Sequence, residues 1–319
     1  MTDMRKGSRE SRTSCHPERS EGSLRKNDSW KSLRGDSSPS VQNDKAEATG
    51  DGGTVSTQVA FRPLLEVRGL ACGYDGVPVV EGLSFTIAEG EVCALLGPNG
   101  VGKTTVFKAV LGHLPALAGT VSVAGQDAST LSRAQLARLV GYVPQAHTPP
   151  FPYTVAEVVE MGRTAHLALT SSPSAKDRRL ALEALNSLGI AHLHDKPYTQ
   201  ISGGERQLAL IARALCQQAQ LLIMDEPCAN LDFENRARVL RQVRELADYG
   251  MAVLMTTHDP DHALAIADSV VALIDRTHFE AGNPSEVIDA TLLQELYGVA
   301  SQIDTVTTPS GSVRVAVPY

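Results

Sequence analysis

Aromatic residues are scarce in this chain: Phe, Trp and Tyr make up 4% of 319 residues, with a single Trp, so any core must be mostly aliphatic. Cysteine is also sparse. Cys15, Cys72, Cys93, Cys216 and Cys228 are odd in number and contain no CxxC pair. That pattern gives neither a zinc site nor a disulfide framework, and it suits a reducing compartment. No apolar run approaches the roughly 20 residues of a membrane-spanning helix. The longest candidates, Leu221–Met224 and Ser269–Ile274, have the length of strands. The N-terminus lacks the basic-then-apolar pattern of a signal peptide. Positive charge is short as well, with 29 Lys and Arg against 36 Asp and Glu. Residues 1–63 hold 11 of the basic and 9 of the acidic residues, which leaves 18 against 27 in the remainder. An acidic main body argues against a nucleic-acid groove as its principal surface. The expectation is a cytoplasmic protein of one large domain or two small ones.

Residues 1–63 are rich in Ser, Gly, Asp, Arg and Lys and follow neither a period of 2 nor one of 3.6. They read as a disordered tail. Within them His16–Ser23 resembles translated bacterial intergenic repeat, which would move the start of translation downstream. The folded region is expected over 64–319. Leu64–Val67 and Leu83–Ile87 read as short strands, and Glu91–Leu96 runs directly into a glycine loop. Leu221–Met224 and Ala252–Thr257 are apolar runs bounded by turn signals and read as buried parallel strands. Between the glycine loop and those strands, about 146–218 reads as a helical subdomain. Thr154 with Glu157 and Ser174 with Asp177 have capping-box spacing, and Gly189 suits a helix stop.

The glycine loop carries the first chemistry. Gly97-Pro98-Asn99-Gly100-Val101-Gly102-Lys103-Thr104 has the spacing G-x-x-x-x-G-K-[ST] and lies between a strand and a helix. Its glycines let backbone N–H groups curl around phosphate oxygens, and the helix that follows aims its positive end at the same anions. Lys103 supplies a point charge between β- and γ-phosphates, and the Thr104 hydroxyl can ligate Mg²⁺. Alone, the loop indicates a P-loop nucleotidase without saying which kind. The strand Leu221–Met224 ends in Asp225-Glu226. Asp225 can hold Mg²⁺ from the side opposite Thr104, leaving Glu226 to orient and deprotonate a water. Without the loop upstream, the pair would be an ordinary strand ending in solvated acids.

A resemblance then narrows the reading. Ile201-Ser202-Gly203-Gly204-Glu205-Arg206-Gln207 resembles the signature of ABC ATPases, usually LSGGQ. The order of P-loop, Gln145, signature, Asp225-Glu226 and His258 is that family's order, and the resemblance spans about 64–300. It implies a RecA-like P-loop α/β core with an antiparallel β subdomain and a helical subdomain, binding ATP and Mg²⁺. By resemblance, Tyr74 stacks on adenine, and Gly97 through Thr105 (Gly97, Pro98, Asn99, Gly100, Val101, Gly102, Lys103, Thr104, Thr105) hold the phosphates. Gln145 senses nucleotide through Mg²⁺ or water, His258 steadies the γ-phosphate, and Glu226, His258, Gln145 and Lys103 form the catalytic set. Ser202, Gly203, Gly204 and Glu205, with Asp232 in the loop Asn230–Asp232, would complete the ATP site of a second copy. Two departures stand out: Glu205 where Gln is common, and Cys228 where Thr or Ser is usual. Cys228 reads as a tolerated small residue, and His192 and His194 as surface residues.

The stretch Pro149–Arg163 and the C-terminal Leu293–Val299 are similar to those of importers for iron chelates, cobalamin and haem and of related molybdate carriers. That resemblance implies two transmembrane permease subunits as partners and, through them, a substrate-binding protein, at the cytoplasmic face of a membrane, with no nucleic acid. The alternatives are a soluble ATPase of an exporter or a zinc/manganese importer, or a non-transport ABC ATPase, which a basic groove would have favoured.

Overall fold

Alternation decides how the central strands face. In Val92–Leu96, residues 92, 94 and 96 join one apolar core while Cys93 and Leu95 join another. Leu222 and Met224 separate in the same way from Leu221 and Ile223, as do Val253 and Met255 from Ala252 and Leu254. Strands buried on both faces read as continuous apolar runs, and their period of two shows only in the packing. The computed structural model describes Leu33 and residues 63–145, 151–168, 171–309 and 311–319. The expected tail, Cys15 and the Pro149-Pro150 pair thus lie outside the described residues, save that Leu33 is helical and buried in the first core.

In chain order the elements are β1 (Leu65–Tyr74), β2 (Val77–Ile87), β3 (Val92–Leu96), α1 (Lys103–Val110), β4 (Ala118–Val123), β5 (Gln126–Asp127) and α2 (Arg133–Leu139). There follow β6 (Val140–Val143), α3 (Val155–Glu160), α4 (Ala175–Ser187), α5 (Gly203–Cys216), β7 (Leu221–Met224), α6 (Phe233–Asp248) and β8 (Ala252–Thr257). The chain continues through α7 (Pro260–Ile266), β9 (Ser269–Leu273), β10 (Phe279–Gly282), α8 (Pro284–Val287), α9 (Ala290–Tyr297), β11 (Ser301–Thr308) and β12 (Gly311–Pro318). The central sheet has the order β10-β9-β3-β8-β7-β6, parallel except where β10 pairs antiparallel with β9. An antiparallel sheet, β2-β1-β4-β5, packs over the second core.

The first two strands are longer than the sequence reading allowed. Tyr74 and Val77 are partnered across a two-residue loop, Asp75-Gly76, in which both residues have positive φ (52° and 77°). Such a turn matches the twist of the flanking strands and extends the hairpin to its tip. Both capping boxes form, with the Thr154 hydroxyl accepting from Glu157 N at 3.2 Å and the Ser174 hydroxyl from Asp177 N at 3.3 Å. Gly189 follows the cap of α4 with φ +70°. Helices α3, α4 and α5 pack on one another. Arg163 ties them together, donating to Asp177 Oδ1 at 2.8 Å and to the Cys216 carbonyl at 2.9 Å.

Candidate active site

The parallel register brings three strand ends together. Leu96 is level with Thr257, and Met224 with Met255 on the next strand, so the segments after β3, β7 and β8 leave the sheet side by side. Val143 is level with Met224, so Gln145, two residues past β6, meets Glu226, two residues past β7. The carboxyl edge of an open α/β sheet is where ligands bind in such folds.

At that edge Glu226 is the meeting point. Its Oε2 accepts from Gln145 Nε2 at 3.3 Å and lies 3.3 Å from His258 Nδ1, while its Oε1 is 3.8 Å from Lys103 Nζ. The backbone of Glu226 has φ +45°, uncommon for a residue with a side chain. Its N–H is pinned by Thr256 Oγ1 at 2.8 Å, and the same hydroxyl donates to Asp225 Oδ1 at 2.8 Å. Thr256 is completely buried, so one hydroxyl fixes both acids. A cavity of about 290 Å³ opens beside this cluster, lined by Asn99, Gln145, Glu226, Cys228 and His258 among others.

Lys103 is buried and folded back on its own loop, donating to the Gly97 carbonyl at 2.6 Å and the Pro98 carbonyl at 3.0 Å. Burial pushes its ammonium below the ordinary lysine range, opposed by the charges of Glu226 and Asp225. Gly102 has φ +118°, and a Cβ there would come within 2.6 Å of Val80 Cγ2, so the loop packs against β2 only as glycine. Thr104 is exposed at the start of α1 and Thr105 is buried. Thr104, Asp225 and Gln145 would offer Mg²⁺ hydroxyl, carboxylate and amide oxygen, the hard donors that cation takes. Among the described residues no group of three or more His, Cys, Asp or Glu gathers as a protein-only metal cage. The donors fit an ion held largely by phosphate and water.

Tyr74, at the end of β1, is 45% exposed. Lys108 Nζ donates to its hydroxyl at 3.1 Å and sits 5.5 Å from the ring centroid. Ser202 caps α5, accepting from Glu205 N at 3.2 Å, while its own N–H donates to Glu205 Oε2 at 2.8 Å. The acid in place of Gln therefore closes a capping box and sits at the positive end of the helix. The Ser202 N–H holds its carboxyl below the ordinary range, helped by the hydroxyl. Ser202–Glu205 do not line the cavity at Glu226. Asp232 caps α6, its two oxygens accepting from the N–H and side-chain amide of Asn235 at 2.8 and 3.0 Å. Cys228 is buried on the cavity wall, and burial pushes its thiol up to about 12.

Sequence reasoning passed over Thr256, Arg236 and His262. Thr256 reads only as a strand residue, and the other two belong to helices with no motif spacing; only the packing places them at this edge.

The ABC transporter family model matches residues 80–229. The chain is 42% identical over 240 residues to an uncharacterized ABC transporter ATP-binding protein of Haemophilus influenzae, covering 75% of this chain and 91% of that protein. It is 37% identical over 256 residues to a hemin import ATP-binding protein of Streptomyces coelicolor, covering 80% of this chain and 90% of that one. Among solved structures it resembles a chain of an inward-facing ABC transporter assigned to the metal-chelate type, with TM-score 0.73 and 30% identity over 81% of this chain and 98% of that one.

Proposed function

The chain belongs to the ABC transporter family of ATP-binding proteins, and we propose that it is the ATP-hydrolysing subunit of an importer for a metal chelate, haem, cobalamin or a related oxyanion. The observation that carries the chemistry is the contact of one carboxylate, Glu226, with Gln145, His258 and Lys103 at the carboxyl edge of the sheet. The substrate class is supported by the likeness to a hemin import subunit and to a metal-chelate type transporter.

In this reading the N–H groups of Gly97–Thr104 and the Lys103 ammonium hold the β- and γ-phosphates. Lys103 is tethered to the Gly97 and Pro98 carbonyls, so it pays little ordering entropy when phosphate arrives. Thr104, Asp225 and Gln145 would hold Mg²⁺, which supplies neutralisation of phosphate charge when bound. Glu226 takes a proton from water as the water oxygen bonds to the γ-phosphorus. The bond from that phosphorus to the bridging β-γ oxygen breaks, and ADP leaves with its electron pair. His258 donates a hydrogen bond to the γ-phosphate and keeps the water in line. Tyr74 stacks on the adenine. Ser202 and Gly203, exposed at the start of α5 and away from the cavity, act with the backbone of the buried Gly204 on ATP held by a second copy, so that nucleotide closes a head-to-tail dimer. No helix among the described residues is long and apolar enough to cross a membrane. Two separate permease subunits would carry the substrate, with this chain at their cytoplasmic face.

Replacing Glu226 by Gln tests the assignment. The variant should bind MgATP and accumulate as an ATP-dependent dimer while turnover falls by about 10² or more. Rapid hydrolysis by the purified variant would remove Glu226 from this role.

A further inference from the structure

Behind His258 lies a buried polar cluster that the hydrolysis scheme leaves unused. His262, on the first turn of α7, is 9% exposed and turns its ring back toward the strand end. Its Nδ1 is 3.1 Å from Thr257 Oγ1, and its Nε2 is 3.3 Å from Asp259 Oδ2. Thr257 and Asp259 are the two neighbours of His258 in sequence, so a single imidazole spans the side chains on both sides of it.

The proton positions follow from the contacts. Thr257 Oγ1 accepts from Asp259 N at 3.0 Å, and its hydrogen has two possible acceptors, His262 Nδ1 at 3.1 Å and the Asp259 carbonyl at 3.3 Å. The shorter contact puts the ring proton on Nε2, facing Asp259. Burial holds the imidazole below the ordinary histidine range against the pull of Asp259, which favours that neutral form. Nε2 nevertheless lacks the alignment of a hydrogen bond to Asp259, and it is a buried polar atom left without a partner. Arg236 Nε is a second, and another nitrogen of that guanidinium lies 3.8 Å from Asp259 Oδ2. The Tyr297 hydroxyl is a third; burial chiefly, and then the charges of Asp259 and Glu226, hold its proton on. Buried donors left unpaired are costly, and two of them belong to side chains, His262 and Arg236, that lie 3.3 and 3.8 Å from Asp259 Oδ2.

We propose that His262 is a positioning residue for ATP hydrolysis: its ring clamps Thr257 and Asp259, and so holds His258 against Glu226. Arg236 extends the clamp to α6, whose cap Asp232 belongs to the loop assigned to the dimer interface. The inference rests on the reading that His258 and Glu226 act together on the γ-phosphate.

The test is steady-state MgATP hydrolysis by the full chain, with nucleotide affinity and Tm measured on the same samples. His262→Leu, which keeps bulk and removes both nitrogens, should lower kcat about tenfold or more, with KM and Tm near wild type. His262→Gln, which retains a donor and an acceptor, should recover most of the loss. A wild-type kcat in His262→Leu overturns the proposal, as does a His262→Gln variant as impaired as the leucine, because packing alone would then explain the effect. Should His262→Leu fail to fold, Asp259→Ala carries the same expectation, and full turnover there overturns it. His258→Ala separates the two layers: if it keeps wild-type turnover, the reading of His258 itself fails and this inference falls with it. If it abolishes turnover while His262→Leu does not, only the clamp is wrong.

Discussion

Gln145 donates to the Glu226 carboxylate at 3.3 Å although the two residues are 81 positions apart. Two adjacent parallel strands in register make the contact, each continued by two residues. The link joins the segment leading into the helical lobe to the proposed general base, so a shift of that segment would be felt at the carboxylate. Gln145→Ala should therefore lower kcat by about tenfold while the isolated chain keeps its affinity for ATP. Loss of affinity with kcat unchanged, measured by nucleotide titration beside the rate, would place Gln145 in binding alone.

Thr256 carries a second expectation. Its buried hydroxyl serves the Glu226 N–H and Asp225 Oδ1 together. Thr256→Val keeps the shape but leaves the N–H unpaired, at a cost of about 1–3 kcal/mol. Denaturant midpoints should report that loss, and turnover should fall further than stability does, because both acids lose their anchor.

Gly204 should not tolerate a methyl group. A Cβ at this position would stand 2.0 Å from Asn235 Oδ1, at the start of α6. Gly204→Ala is expected to destabilise the chain by about 1–3 kcal/mol through overpacking, and Asn235→Ala in the same chain should restore part of it. Calorimetry of the single and double variants checks this.

The Arg163–Asp177 pair predicts an acid-sensitive helical lobe. The Ser174 hydroxyl and Arg163 hold the Asp177 carboxyl well below the usual carboxylate range. A depressed folded value means the contribution is present above the unfolded value of about 4 and is lost as pH falls below it toward the folded one. Arg163→Met should flatten that part of the stability–pH curve. At neutral pH it should cost about 3–5 kcal/mol, because Asp177 is left buried without its partner. An unchanged acid limb in urea titrations would contradict the assignment.

Cysteine reactivity gives a prediction free of nucleotide. Cys72, Cys93, Cys216 and Cys228 are all buried as free thiols, and burial pushes Cys93, Cys216 and Cys228 up to about 12. In a Cys15→Ser background the native chain should resist thiol reagents at pH 8, and all 4 should react on unfolding. Fast native labelling would show that the wall at Cys228 opens.

Local chemistry was legible in the sequence. The phosphate loop, both capping boxes, Gly189 and the strand that ends in Asp225-Glu226 each depend on a few neighbouring residues, because positive φ, helix caps and apolar runs are local demands on the backbone. The hairpin β11–β12 was missed although Val313, Val315 and Val317 alternate across from Ser301–Thr308. It packs against α7, and its Ala316 N–H is held by Asp261 Oδ1 at 2.7 Å, a contact no local pattern announces.

What only the tertiary structure decided is which loops meet. Gln145, Glu226, His258 and Lys103 converge because the sheet order places β3, β8, β7 and β6 side by side, with β3 and β8 ending level and β7 and β6 ending level two residues short of them. Thr256 and His262 became part of the site for the same reason, one from a strand interior and one from a helix turn. The residues themselves determined what chemistry each loop could perform. Pairing between strands far apart in sequence, driven by burial of both faces of the sheet, determined that these loops meet at one point.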